Sequence, residues 1–294
     1  MAEIYYGRNI LITGPSGSGK STLASQKFCM DEEHYERASF SASYSREQFI
    51  GQHMPWMSGK SVEYRFIPGP FMRIWAKAML DPGHMYYLIL EDVHHGDIAQ
   101  ILGEVFALLD RGNNGISRYP ITMPMDMAAW VYLHVNKFTG KLYIPANLTI
   151  VATMTSFWDV NNRELMGEFW RRWTVWTMNT DVDACEVAQE VVLDSRITWG
   201  VLVKWVNEIF EKFITNGEAK KLGPYFMSRF EFGVGSNERE FANKLIGYIW
   251  ESITPSEREF FFRNPDKSLS QTIDAFVGAK GNNRFEVFSK ASFV

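Results

Sequence analysis

The chain has 294 residues, 46% of them hydrophobic and 15% aromatic, which is enough to bury one large α/β domain and a smaller second domain. Its formal net charge of −4 excludes an overall positive charge that would attract nucleic acid. Any contact with DNA must therefore be local, for instance in a pore. Two cysteines, Cys29 and Cys185, exclude a disulfide framework and favour a cytoplasmic location. No uncharged apolar run approaches the length that spans a bilayer, so we expect no membrane partner.

A glycine-rich stretch near the start matches the phosphate-binding pattern G-x-x-x-x-G-K-[ST] at every position. It comprises Gly14, Pro15, Ser16, Gly17, Ser18, Gly19, Lys20 and Ser21, and Thr22 follows it. Glycine lets backbone N–H groups turn inward around an anion at positive φ. We expect Lys20 to reach the β and γ phosphates and Ser21 to bind Mg²⁺. An apolar run at 9–13 predicts a strand before the loop and 22–28 a helix after it, the context that a nucleoside triphosphate site requires.

The next segments predict α/β alternation with a parallel sheet flanked by helices. Residues 34–40 favour a strand, and Ser45 with Gln48 predicts a capping-box helix start. Residues 54–69 are interpreted as a loop without a site, and the apolar spacing over 71–79 predicts a helix. A β-rich, alternating stretch predicts a hairpin or another long insertion beside the sheet at about 113–145.

Strand signals stop near residue 181, and helical patterns follow at 187–193, 197–214, 238–250 and 269–277. We therefore predict a large α/β domain over 1–180 and a small helical lid domain over 181–294.

An acidic pair, Glu91 and Asp92, follows the buried strand predicted at 86–90. Parallel strands point their carboxyl ends to one edge of the sheet, so we expect these acids to share a crevice with the glycine loop. Glu91 would then hold Mg²⁺, with Ser21 as the second protein ligand, and Asp92 would polarise the attacking water. The alternative for the pair is a helix N-cap.

Two further groups are candidate catalytic residues. Thr155 follows the strand predicted at 148–153, where its hydroxyl would reach the same crevice, although a plain strand-to-loop hydroxyl is the alternative. Arg171 and Arg172 follow that strand at the position where phosphoryl-transfer assemblies carry an arginine finger, sometimes for a neighbouring subunit. Alternatively, the two adjacent arginines lie on a solvent-exposed surface and have no catalytic role.

Taken together, these motifs resemble the AAA+ ring ATPases, in particular McrB-like motor subunits of modification-dependent restriction systems. The resemblance rests on residues 14–21, 40–50, 96–104, 144–148, 169–173 and 222–227, in the family's order. It implies an AAA+ P-loop NTPase fold and a homo-oligomer, a hexameric ring. Lys20, Ser21 and Glu91 of one subunit would meet Arg171 or Arg172 of the next. It also implies Mg²⁺, GTP or ATP as substrate, an McrC-like nuclease or other partner protein, and movement along DNA.

Two motifs depart from the family. Its acidic strand ends Asp-Glu-x-Asn-Arg, whereas this chain has Glu91-Asp92-Val93-His94-His95. The family's sensor motif Met-Asn-x-x-Asp-Arg is replaced at 154–159 and loses its Asn, Asp and Arg.

The sequence leaves three hypotheses for the function. The first is a ring NTPase that moves DNA or remodels a DNA-bound partner. The second is a nucleotide-dependent assembly scaffold with weak hydrolysis, and the third is a MoxR-type chaperone that acts on protein.

Overall fold

The computed structural model describes residues 6–58, 61–135, 138–155, 166–178, 182–232 and 237–289. The chain forms two compact units, an α/β unit from residues up to 13 together with 20–177, and a helical unit from 178 onwards. Residues 14–19, the glycine loop, are grouped with the helical unit by their contacts. The predicted division into 1–180 and 181–294 assigns this loop to the α/β domain.

The core of the α/β unit is a five-stranded sheet. Its strands are β1 (Asn9–Thr13), β2 (Tyr35–Ser39), β5 (Tyr86–Glu91), β8 (Leu148–Met154) and β9 (Thr174–Thr177). They lie in the order β2-β5-β8-β1-β9, and every neighbouring pair is parallel. Every residue of β1 and β8 is buried, which explains their continuous apolar sequences. The predicted α/β class with a parallel sheet flanked by helices is confirmed.

Helices flank this sheet on the described part of the chain. They are α1 (Lys20–Phe28), α2 (Arg46–Ile50), α3 (Pro70–Leu80), α4 (Ile98–Leu102), α5 (Val105–Leu108), α6 (Met125–His134) and α7 (Met166–Trp170). The predicted capping box is present, because Ser45 and Gln48 each accept a hydrogen bond from the other's backbone. Trp75 anchors α3 in the core and donates its indole N–H to the Tyr143 carbonyl at 2.7 Å.

Two local predictions are wrong. The segment interpreted as a loop at 54–69 lies in an antiparallel ribbon of β3 (Gly51–Ser58) and β4 (Ser61–Pro68), which exposes most of its described side chains and therefore has no buried-face pattern to detect. Within 113–145 the strands β6 (Ile121–Thr122) and β7 (Lys141–Leu142) are short. The alternating stretch between them is α6, because Met127, Val131 and Val135, four residues apart, are buried.

The helical unit packs around an aromatic core that includes Trp199, Phe210, Phe241 and Phe276. Its helices are α8 (Trp199–Phe213), α9 (Gly217–Lys220), α10 (Glu238–Ser252), α11 (Arg258–Phe261) and α12 (Leu269–Gly278). The helix expected at 187–193 is a short 3-10 turn at Glu186–Gln189. No helix among the described residues is both long and apolar enough to cross a bilayer.

Candidate nucleotide-binding site

The carboxylate of Glu91, at the end of β5, is buried and accepts three side-chain hydrogen bonds within the α/β unit. Ser21 Oγ donates to Glu91 Oε2 at 2.8 Å, and Thr153 Oγ1 donates to the same oxygen at 2.7 Å. Arg37 Nη1 donates to Glu91 Oε1 at 3.2 Å. Three donors, one of them charged, satisfy both oxygens, so the acid is held in one orientation.

The contact between Ser21 and Glu91 joins the two predicted magnesium ligands. A hydroxyl and a carboxylate are the oxygen ligands that Mg²⁺ prefers, so these residues fit that ion. Glutamate is one methylene longer than the aspartate that the family carries here, and in this chain it reaches Ser21 directly.

Asp92, the second acid, has a left-handed backbone with φ 52° and ψ 48°. Aspartate adopts this region more readily than most side chains. The Asp92 N–H donates to Thr153 Oγ1 at 3.0 Å, and Thr153 itself is fully buried. One threonine hydroxyl thus orients both acids, by donating to the Glu91 carboxylate and by accepting from the Asp92 backbone.

Lys20, the first residue of α1, is buried beside the same acids. Burial lowers the pKa of Lys20 below its ordinary value of 10.5, while the carboxylates of Asp92 and Glu91 oppose that lowering. Thr22 is exposed in the next part of α1.

The glycine loop is described within the helical unit. The Ser16 carbonyl accepts from Gly223 N–H and the Gly17 carbonyl accepts from Tyr225 N–H, each at 2.8 Å. Gly17 has φ 75°, and a Cβ built on it would lie 2.4 Å from the Phe226 nitrogen. Inside the loop, Ser18 N–H donates to the Pro15 carbonyl at 3.2 Å. Glycine is required here both by the positive φ and by the close approach of the 223–226 backbone.

Two threonines at the end of β8 are candidates for a role in the site, and the catalytic role expected for Thr155 stays a prediction. Thr155 lies just beyond β8 and is half-buried, whereas the hydroxyl that contacts Glu91 belongs to Thr153. The rest of the altered sensor motif, 156–159, lies outside the described residues.

Arg171 and Arg172 line a separate cavity of about 690 Å³ at the amino ends of β1 and β9. Its lining includes one carboxylate, Asp110, and five arginines, which are Arg8, Arg111, Arg118, Arg171 and Arg172. Arg171 is half-exposed and pairs with Asp110 at 2.9 Å and Glu168 at 3.0 Å. Arg172 is only 10% exposed, and its guanidinium lies 4.6 Å above the centre of the Phe106 ring.

Several polar atoms around this cavity are buried without a hydrogen-bond partner. They are Arg111 Nε and Nη2, Arg172 Nε, Asn9 Oδ1 and Trp173 Nε1. Burial lowers the pKa of Arg111 to about 9, which leaves its guanidinium charged at neutral pH. Unused donors and surplus positive charge make the cavity suited to an anion.

Comparison with known proteins supports the predicted fold class. Residues 9–126 match the family described as AAA domain (dynein-related subfamily), and the parallel five-stranded sheet flanked by helices is consistent with the AAA+ α/β fold.

Two curated relatives are restriction proteins. The chain is 28% identical over 320 residues to the Type II restriction enzyme BsuMI component YdiS of Bacillus subtilis, covering 98% of this chain and 90% of that protein. It is 24% identical over 155 residues to the Type IV methyl-directed restriction enzyme EcoKMcrB subunit of Escherichia coli, covering 51% of this chain and 30% of that one. The resemblance to McrB-like AAA+ proteins is thereby confirmed.

Proposed function

We propose that the protein is an McrB-like P-loop nucleoside triphosphatase that forms a ring and hydrolyses GTP or ATP to move on DNA or to remodel a DNA-bound partner nuclease. The observation that carries this proposal is the convergence of Ser21, Thr153 and Arg37 on the buried carboxylate of Glu91. The phosphate-loop motif and the similarity to two restriction proteins support it. A cytoplasmic location and an McrC-like partner belong to the same proposal.

In this mechanism, the glycine loop and Lys20 would bind the phosphates, and Ser21 and Glu91 would hold a magnesium ion, which would supply positive charge against the charge that develops on the phosphates. Ser21 and Glu91 would then exchange their direct hydrogen bond for contacts with the ion. Arg37 and Thr153 keep Glu91 in place during that change, and Asp92 orients the attacking water.

The arginine cavity supports a role in trans. Arg171 is half-exposed, so it can reach a phosphate on a neighbouring subunit, whereas buried Arg172 is better suited to hold the segment against Phe106. We therefore assign the finger to Arg171 and a positioning role to Arg172.

The first test measures phosphate release from GTP and ATP, together with mass in solution, for wild type, Lys20→Ala and Asp92→Asn. We expect turnover with one nucleotide, its loss in both variants, and a ring that survives Asp92→Asn. Lys27→Ala is the matched control, since it removes an exposed lysine from the same helix. Turnover that persists in Lys20→Ala would refute the proposal.

The second test mixes two inactive variants, Lys20→Ala and Arg171→Ala, in one ring. Loss of an arginine finger costs about 10³-fold or more in turnover, so Arg171→Ala alone should be nearly inactive. Mixed rings contain interfaces with an intact Lys20 beside an intact Arg171, so activity should return on mixing. Arg65→Ala, on the exposed β3–β4 ribbon, is the control. No recovery on mixing would contradict action in trans.

The second candidate is an assembly scaffold with weak hydrolysis. The exchange of the two acids favours it, because Asp92 must reach the water with a side chain one methylene shorter than glutamate. A ring that forms only with added nucleotide, with no phosphate release in wild type, would establish the scaffold instead of the motor.

A further inference from the structure

A cluster of histidine and aspartate side chains lies at the amino ends of β2 and β5, whereas Glu91 ends β5 at its carboxyl end. His34 directly precedes β2, Asp81 follows α3, and His84 lies just before β5. Their potential ligand atoms all lie within 4.8 Å of one another, and the His34 and His84 rings are 5.4 Å apart between centroids. Two imidazoles and a carboxylate, from the segment before β2 and from the turn between α3 and β5, therefore lie close together.

Hydrogen bonds orient these groups. His34 Nδ1 lies 2.7 Å from Asp31 Oδ2, so a proton on Nδ1 leaves the Nε2 lone pair of His34 for a ligand. This carboxylate–histidine arrangement is the one that commonly supports a metal-bound imidazole. Asp81 accepts from Tyr86 OH at 3.2 Å and from Gly83 N–H at 3.1 Å, which fixes its carboxylate.

We propose that His34, Asp81 and His84 bind a divalent first-row transition metal of the zinc class, with Asp31 as a positioning residue. Imidazole nitrogen with one carboxylate suits zinc, nickel or copper, whereas magnesium and calcium prefer all-oxygen sites. Zn²⁺ bonds to nitrogen and oxygen are about 2.0–2.2 Å, which puts tetrahedral ligand atoms about 3.3–3.6 Å apart, so ligand atoms up to 4.8 Å apart must approach by about 1 Å. His84 is exposed and can rotate to do so.

The alternative is that the cluster is two independent hydrogen-bonded turns, because Asp31 with His34 and Asp81 with His84 are both (i, i+3) pairs. Each pair would be satisfied by itself. Two independent turns would not need to bring His34 close to Asp81 and His84, yet the three side chains lie close together. No other group of three potential ligands lies this close together among the residues that the structure describes. His94 and His95, which stand where the family has Asn-Arg, do not belong to such a group among the described residues.

The test is a titration of the full-length, tag-free, EDTA-stripped protein with Co²⁺, followed by visible absorption, and with Zn²⁺ by calorimetry. We expect one saturable site in wild type and at least tenfold weaker binding in His84→Asn and His34→Asn. Asp31→Asn should weaken binding by about 10-fold or more, the usual effect of losing an outer-shell partner. His134→Asn, an exposed histidine on α6, is the control and should bind as wild type does.

Thermal unfolding gives an independent readout, because a metal that binds only the folded chain raises its stability. Zn²⁺ should raise the melting temperature of wild type and not that of His84→Asn, a variant at an exposed position that is expected to fold. Equal affinity in wild type and His84→Asn, or the absence of saturable binding in wild type, would overturn the proposal.

Discussion

Thr153→Val tests whether one hydroxyl organises both acids. The substitution removes the donor to Glu91 and the acceptor of the Asp92 N–H while keeping the shape of the side chain. A hydrogen bond to a charged group contributes about 1.5–3 kcal/mol, and a backbone N–H left without an acceptor costs about 1–3 kcal/mol. Glu91 retains Ser21 and Arg37, and valine no longer buries a hydroxyl, so we expect about 2–3 kcal/mol of destabilisation rather than the full sum.

Denaturant unfolding of the nucleotide-free protein measures this change, and phosphate release measures its effect on turnover. Thr149→Val is the matched control, because Thr149 is also buried on β8 but its hydroxyl accepts only the Arg8 N–H among the described hydrogen bonds. We expect the control to cost about 1 kcal/mol and to leave turnover unchanged. Thr153→Ser should restore both quantities. The reasoning would be refuted if Thr153→Val and Thr149→Val lost equal stability and kept equal turnover.

Three further predictions concern other contacts. Arg37→Met should weaken Mg-nucleotide binding about tenfold, equivalent to about 1.4 kcal/mol, because Glu91 loses its charged donor; unchanged affinity by titration would contradict this. Gly223→Ala should abolish nucleotide binding, because its Cβ would lie 2.3 Å from Gly17 C and Ser18 N, whereas Gly247→Ala, with nothing within 4 Å, should be slightly stabilising. Burial acts to raise the pKa of Asp194, but hydrogen bonds from Gly281 and Arg284 outweigh burial, and the pKa is lowered. The ionised Asp194 therefore stabilises the fold fully above the unfolded-state pKa of about 4, and this stabilisation is lost as the pH falls through the folded-state pKa. Unfolding at pH 7 and pH 3.5 should therefore show a smaller pH dependence for Asp194→Asn than for wild type, and equal dependence would reject the assignment.

The local motifs of the site could be predicted from the sequence because each is contiguous. The phosphate loop is recognisable from its spacing, and Glu91 and Asp92 are recognisable because they stand at the end of an apolar run. Thr153 and Arg37 could not be predicted, because their roles depend on strand register. Leu90 pairs with Ala152, which sets Thr153 beside Glu91 across the β5–β8 ladder. Arg37 pairs with Ile89, two residues from Glu91 and on the same face of the sheet.

The ribbon and α6 were mispredicted for a different reason. The signal for secondary structure is a periodic buried face, and β3 and β4 bury few of their described side chains. In α6 the aromatic side chains of Trp130, Tyr132 and His134 alternate along the sequence, which concealed the four-residue spacing of the buried residues. Tertiary burial of one face decided α6, whereas the ribbon is formed by backbone pairing of β3 with β4 without a buried face.

The contact of residues 16–17 with 223–225 has a consequence for how such proteins can be recombined. The phosphate loop obtains part of its backbone geometry from a segment far beyond the family match, which ends at residue 126. A chimera that joins the α/β unit of one relative to the helical unit of another would therefore inherit the loop's sequence from one parent and part of its support from the other. Substitutions in one segment must remain compatible with the other, so we expect residues 16–17 and residues 223–225 to covary between relatives.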